Sequence, residues 1–214
     1  MKNELIVLSG NAGVGKSTLG SHLANRRGAE WLSENEMSCH FSHLFADETE
    51  SSRIISQLAF STLRVATILS TFMSGKNKVV SERSLWDSLI FYEMWKDIYG
   101  FKGTDAFFSQ LHEILNEKPV DYDEYVVWLK CDINILPSRI KMRGKAYDSI
   151  HTMKLLNDLE ERYVKAFKER PPKNFFSIDV TNLDINNPKH LDDLYETIIG
   201  NIDRINRNSA NSKI

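Results

Sequence analysis

The chain has 214 residues, which is enough for one large α/β domain with a substantial core. Its 27 basic and 29 acidic residues nearly cancel, so composition gives no reason to expect a nucleic-acid polymer or a membrane surface as partner. Two cysteines exclude a disulfide framework, and we see neither the apolar core of a signal peptide nor a stretch long enough to span a bilayer, so we expect a cytoplasmic protein.

Short apolar runs alternate with helical segments, which is typical of a parallel sheet with helices on both faces. Five strands are predicted, at residues 4–8, 29–33, 78–81, 125–130 and 175–178. A helix is predicted to follow the first strand and end at Arg27, before Gly28, and further helices are predicted at 37–46, 51–73, 85–99, 104–116, 133–142, 149–168 and 188–205. We expect residues 1–205 to form a single domain and the polar residues 206–214 to be a flexible tail.

A complete G-x-x-x-x-G-K-[ST] phosphate-binding loop, a P-loop, lies between the first strand and the first helix. In this context backbone N–H groups and the positive end of the helix surround a polyphosphate. Lys16 can reach the β- and γ-phosphates, and the Ser17 hydroxyl can hold Mg²⁺. The predicted nucleotide-binding loop comprises Gly10, Asn11, Ala12, Gly13, Val14, Gly15, Lys16, Ser17 and Thr18.

The third predicted strand runs directly into Glu82, Arg83 and Ser84, at the edge of the sheet where doubly wound proteins bind ligands. Glu82 can help to hold Mg²⁺, directly or through water. Arg83 can neutralise charge on a transferred phosphoryl group or orient a nearby carboxylate. The alternative is a surface Glu–Arg pair at the start of a helix capped by Ser84.

A third group of charged residues, all basic, lies at the C-terminal end of the helix that follows the fourth strand. Arg139 and Arg143 share a helix face, Gly144 permits a bend, and Lys145 follows. Three cations beside a hinge suit a short lid that closes over phosphates. A solvated basic helix end, stabilised by the helix dipole, is the alternative.

Taken in order over residues 5–180, these motifs resemble the deoxynucleoside kinase family, which includes deoxycytidine, deoxyguanosine and deoxyadenosine kinases. Glu82-Arg83-Ser84 is similar to its Glu/Asp-Arg-Ser signature, and 139–145 resembles its lid. The resemblance implies a P-loop NTPase fold with a five-stranded parallel sheet and a basic lid. It also implies transfer of phosphate from ATP, with Mg²⁺, to the 5′-hydroxyl of a deoxyribonucleoside in nucleotide salvage, by an enzyme that is often a homodimer.

The resemblance also assigns roles to single residues. Glu34, with Glu36 as the second candidate, would be the general base that takes the proton of the 5′-hydroxyl. Arg83 would touch that base and the 5′-oxygen, and Arg143 would act on the transferred phosphoryl group. The expected nucleoside-binding residues are Glu34, Gln57, Phe60, Arg64, Arg83 and Asp148.

Two departures from the family pattern bear on the nucleobase and the lid. Ser88 stands six residues after Glu82, where many members have an aspartate, and that aspartate falls one place earlier, at Asp87. Lys145 replaces a lid arginine and loses its planar fork. From Gln57 and Arg64 we expect a purine nucleoside or deoxycytidine rather than thymidine.

Two other functions compete with this interpretation. A nucleoside monophosphate kinase of the thymidylate kinase type also has a P-loop, an acid–arginine pair and a basic lid, but a monophosphate acceptor requires cations where this chain has Glu34 and Glu36. A non-catalytic P-loop nucleotide-binding module is the other alternative. The chain lacks the Asn-Lys-x-Asp guanine reader of a GTPase.

Overall fold

One parallel sheet forms the centre of the molecule, with strand order β2-β3-β1-β4-β5. The computed structural model describes residues 2–38, 49–100, 106, 109–110, 113, 120–144, 152–184 and 187–211. Its strands are β1 (Asn3–Ser9), β2 (Glu30–Leu32), β3 (Lys78–Glu82), β4 (Tyr122–Lys130) and β5 (Phe175–Asp179). The predicted five-stranded parallel α/β fold is therefore confirmed.

Helices connect the strands. They are α1 (Lys16–Arg27), α2 (Glu34–Ser38), α3 (Glu50–Met73), α4 (Leu85–Tyr99), α5 (Leu136–Arg143), α6 (Met153–Glu169) and α7 (Pro188–Asn211). The helix predicted at 37–46 begins instead as the short α2, and its remainder lies outside the described residues, as does most of 104–116. Helix α7 continues six residues past the predicted end, and the Tyr125 hydroxyl donates to Asn206 Oδ1 there at 2.5 Å.

The central strand β1 is buried on both faces, as its apolar sequence predicts. Ile6 and Leu8 enter a core cluster that includes residues of α1, α5 and α7, whereas Leu5 and Val7 enter a second cluster with residues of α3, α4 and α6. The two clusters hold the sheet between two helical layers. The carboxyl ends of β1, β2 and β3 therefore meet at one edge.

Helix α3 corrects one expectation from the sequence. Ser51–Met73 is, by length and composition, the one helix in the described part of the chain that could span a bilayer, with a mean hydropathy of 1.3. However, Arg53 and Arg64 on this helix are only 4% and 2% exposed, and its apolar side packs in the core beside α4. These contacts place one face of α3 in the core, and 39% of its apolar stretch is buried.

Candidate active site

The P-loop follows β1 in a conformation that depends on its glycines. Gly10, Gly13 and Gly15 all have positive φ, and a Cβ atom on Gly10 would lie 2.6 Å from the carbonyl oxygen of Leu129 on β4. Gly13 packs against α5, since a Cβ there would lie 2.9 Å from Ile140 Cγ1. Helix α1 starts with neither a side-chain cap nor an acidic residue in its first turn, so its N–H groups can bind an anion.

Lys16 is buried at the start of α1 and points back into the loop. Its ammonium donates to the carbonyl oxygens of Gly10 at 3.1 Å and Asn11 at 2.8 Å. Burial, reinforced by the positive charge of Arg83, lowers the pKa of Lys16 to about 7. The lysine lies in the position expected for a phosphate contact, but its charge depends on what occupies the site.

Ser17 and Glu82 lie together at the end of β3. The Ser17 hydroxyl is 2.9 and 3.0 Å from the two carboxylate oxygens of Glu82. The described residues hold no group of three or more His, Cys, Asp or Glu side chains that could bind a metal on their own. One hydroxyl and one carboxylate fit Mg²⁺, because this ion keeps several waters and takes further ligands from substrate phosphates.

Glu34 begins α2, just after β2, and two arginines hold its carboxylate. Arg83 Nε donates to Oε2 at 2.9 Å, and Arg64 Nη2 donates to Oε1 at 3.0 Å. Burial alone would raise the pKa of Glu34, but the charges of Arg83, Arg64 and Lys16 outweigh it and lower the pKa to about 2. Glu36, the second candidate, lies two residues further along α2 and is exposed, so the geometry favours Glu34.

Arg83 is the residue on which the site converges. Its backbone adopts a left-handed φ of 70°, unusual for a side chain of this size, while its N–H donates to the Leu8 carbonyl oxygen at 3.1 Å. The guanidinium lies over the ring of Phe91, with 4.7 Å from Cζ to the ring centroid. The predicted contact between Arg83 and Glu34 is therefore present, and the arginine is not an exposed helix-capping residue.

The predicted base-reading residues lie on one buried face of α3. Gln57, Phe60 and Arg64 are 9%, 6% and 2% exposed. Besides Glu34, the Arg64 guanidinium contacts the Ser88 hydroxyl through Nη1. Ser88 thus contacts the arginine from the position where many family members have an aspartate, and Arg64 links the base-reading face to Glu34.

The lid cations are separated. Arg139 donates through Nη2 to the carbonyl oxygens of Val180, Thr181 and Leu183 at 2.9–3.2 Å, so its guanidinium holds the segment after β5. Arg143 is exposed in the last turn of α5. Lys145 and Asp148 lie outside the described residues, and the phosphate and sugar contacts assigned to the lid stay predictions.

The contacts of two side chains that shape the site are not predicted from the sequence. The sequence predicts Asn11 only as part of the P-loop, but its buried side chain donates to the Leu156 carbonyl oxygen of α6 at 2.8 Å. Tyr163, also on α6, contacts both Arg83 and Asp87. At helical spacing among Leu156 and Leu159, Tyr163 looks like an ordinary core residue, and only its hydroxyl could have indicated a polar partner.

These features define a class of protein. A P-loop on a parallel sheet, an acid–arginine pair at the end of the next strand in the sheet and a cluster of buried arginines and a carboxylate beside them are features of a P-loop kinase. The sequence profile described as deoxynucleoside kinase matches residues 6–204 of this chain. The protein belongs to the deoxynucleoside kinase family.

Individual relatives agree with this assignment. The chain is 25% identical over 169 residues to a deoxyguanosine kinase of Lactobacillus acidophilus, covering 77% of this chain and 73% of the relative. It is 26% identical over 170 residues to a deoxyadenosine kinase of the same organism, covering 77% and 78%. The fold is similar to that of a deoxyadenosine kinase from M. mycoides solved with bound dATP, with a TM-score of 0.72, 21% identity, and coverage of 92% and 99%.

Proposed function

We propose that this kinase uses ATP and Mg²⁺ to phosphorylate the 5′-hydroxyl of a purine deoxyribonucleoside, as a cytoplasmic enzyme of nucleotide salvage. The observation that carries the proposal is the Glu34 carboxylate at the end of β2, held by Arg83 and Arg64. A hydroxyl acceptor must lose a proton and therefore needs a base, whereas a monophosphate acceptor arrives ionised and would be repelled by the carboxylate. The thymidylate kinase type of reaction is not favoured.

The low pKa of Glu34, about 2, constrains when the proton moves. Such a carboxylate is too weak a base to ionise an alcohol before reaction. In phosphoryl transfer with a loose transition state, the hydroxyl becomes acidic only as its bond to phosphorus forms, so a weak and well-placed acceptor suffices. Glu34 would first orient the 5′-hydroxyl and take its proton late.

The remaining residues would stabilise charge. The P-loop N–H groups and Lys16 would bind the donor phosphates, and Arg83 and Arg143 would neutralise the transferred group. Ser17 and Glu82 would hold Mg²⁺, which when bound neutralises charge on the phosphate oxygens. Activity should therefore disappear in excess chelator and return with added Mg²⁺.

The Gln57 amide and the Arg64 guanidinium on the base-reading face of α3 could bind the edge of a nucleobase. An amide offers a donor and an acceptor, which suit a purine or cytosine, so the choice of a purine rests on the relatives. Both curated relatives are named for purine deoxynucleosides. ADP release with ATP and each of the four deoxynucleosides and their monophosphates tests this preference. A clear preference for either pyrimidine nucleoside, deoxycytidine or thymidine, would overturn it.

Glu34→Gln tests the role of the carboxylate. The amide keeps the shape but cannot accept the proton, so we expect kcat to fall on the order of a hundredfold with nucleoside binding largely retained. Glu36→Gln is the matched control, because it makes the same change on the exposed neighbour. If Glu34→Gln keeps its rate and Glu36→Gln loses it, the role of base moves to Glu36. If the Glu34 variant gains activity toward a monophosphate, the proposed acceptor is wrong.

A further inference from the structure

A buried hydroxyl from α6 lies between Arg83 and a second carboxylate. Tyr163 is fully buried, accepts a hydrogen bond from Arg83 Nη1 at 2.9 Å and donates one to Asp87 Oδ1 at 2.5 Å. Arg83 Nη1 and Asp87 Oδ1 are themselves 3.5 Å apart. The three atoms form a triangle in which Arg83 and Asp87 are a direct ion pair, and the hydroxyl bridges them with two shorter hydrogen bonds.

Asp87 cannot readily move to meet the arginine. Its other oxygen, Oδ2, accepts from the Ser9 hydroxyl at 2.7 Å and from the Ser84 backbone N–H at 2.8 Å in the capping box of α4. If the Tyr163 hydroxyl were removed, the Asp87 carboxylate would lose a donor in a buried setting. The Arg83 guanidinium is then the nearest group that can replace that donor.

Such a movement of Arg83 would weaken its hydrogen bond to Glu34. Arg83 uses Nε for Glu34 and Nη1 for Tyr163 and Gly10, so both ends of one rigid planar group are in use. A rotation of that plane toward Asp87 would draw Nε away from Glu34. Burial and the Asp87 charge raise the pKa of Tyr163 well above its ordinary value, so the hydroxyl keeps the proton it donates.

We infer that Tyr163 is a positioning residue for phosphoryl transfer, whose hydroxyl bridges the Arg83–Asp87 ion pair and so keeps the guanidinium on Glu34. This assignment rests on the proposed role of Arg83 and adds to it a fully buried residue of α6 that acts through the arginine. Asp87 anchors the hydroxyl by accepting its hydrogen bond.

Tyr163→Phe tests the assignment, because it removes the hydroxyl and keeps the ring beside Phe167. We expect kcat to fall about tenfold or more while KM for the nucleoside changes less than about twofold, since misplacing a charged group affects the transition state most. Tyr125→Phe is the matched control. It also removes a hydroxyl with one tight hydrogen bond, but that bond is to Asn206 on α7. The control should keep full activity.

A double variant distinguishes positioning from stability. The second change is made in an Arg83→Lys background, whose low activity is assayed with radiolabelled nucleoside. Adding Tyr163→Phe there should lower kcat by less than about twofold, because the guanidinium that the hydroxyl positions is already absent. An unchanged kcat in Tyr163→Phe, an equal loss in both backgrounds, or a variant that fails to fold would each overturn the assignment. A wild-type enzyme that phosphorylates no deoxynucleoside would instead overturn the proposed function, and this assignment with it.

Discussion

Lys16 shows how a single buried charge can make a phosphate-binding site sensitive to pH. In the described part of the chain its ammonium donates to two carbonyl oxygens, and burial together with the charge of Arg83 lowers its pKa to about 7. A bound polyphosphate places several negative charges against the same ammonium and must raise that pKa. Nucleotide binding above pH 7 is therefore coupled to uptake of a proton.

The coupling has a definite sign. As the pH rises above 7, a larger fraction of the nucleotide-free enzyme carries a neutral Lys16, so nucleotide affinity should fall. For uptake of one proton, the fall cannot exceed about tenfold for each pH unit. Calorimetric titration with ATP between pH 7 and 9, in buffers of different ionisation enthalpy, should show uptake approaching one proton at pH 8. Lys16→Ala should bind ATP weakly and without this slope. An affinity that is constant across this pH range would contradict the assigned pKa.

At the scale of elements, the P-loop is held between two neighbours. Gly10 lies against the backbone of β4, and Gly13 lies against α5. The loop therefore cannot relax by moving away from the sheet. Its shape is imposed by packing as much as by its own sequence.

Gly10→Ala should destabilise the fold, since the new Cβ would meet a backbone oxygen at 2.6 Å at a φ of 135°. Strain and overpacking of this kind cost on the order of 1–3 kcal/mol in the free energy of unfolding. The matched control is Gly200→Ala within α7, where nothing lies within 4 Å of the added atom. That change should stabilise by roughly 0.5–1 kcal/mol. Urea denaturation of both variants checks the pair, and equal stabilities would be contrary to expectation.

The same scale shows what sequence patterns can and cannot predict. Helix α4 has the predicted bounds, because Ser84 and Gly100 mark its ends with residues typical of caps. Strand β4 begins three residues before its apolar run, since Tyr122 pairs with Asn3 regardless of side-chain polarity. A local pattern carries no information about such a pairing partner.

Some features of the candidate site can likewise be predicted from the sequence, whereas others cannot. The P-loop and Glu82-Arg83-Ser84 are contiguous motifs, and the sequence identifies them together with the Glu34–Arg83 contact implied by the family. Ser88 as a partner of Arg64, and Tyr163 as a partner of Arg83, depend on residues 24 and 80 positions away. Their side chains carry no distinctive spacing, so only the assembled fold reveals them.

For the whole molecule, the sequence predicts a homodimer through its long helices, and we propose α3 and α4 as the interface. These helices pack on one another and lie on the same side of the sheet. Each presents an exposed isoleucine, Ile55 on α3 and Ile98 on α4, at 51% and 52% exposure. Exposed apolar side chains on neighbouring helices suit a self-complementary contact.

A double Ile55→Glu and Ile98→Glu variant should therefore be monomeric where the wild-type protein is dimeric, because four charges would be buried without partners across a two-fold interface. Light scattering after size-exclusion chromatography at micromolar concentration measures the mass. Val164→Glu on α6 is the control, since it places a charge at an apolar side chain that is also 47% exposed, and it should remain dimeric. A monomeric wild-type protein would exclude this interface.

The position of β1 at the centre of the sheet also has a consequence for synthesis. The strand that leads into the P-loop leaves the ribosome before both strands that pair with it, β3 and β4, and the second of these ends at Lys130. Until then its apolar residues have no sheet to join, and pairing over such separations is slow. The chain must therefore be translated as far as Lys130 before β1 has both neighbours. During that interval the nascent protein exposes a strand whose apolar side chains are buried on both faces in the finished enzyme, and exposed apolar strands favour aggregation.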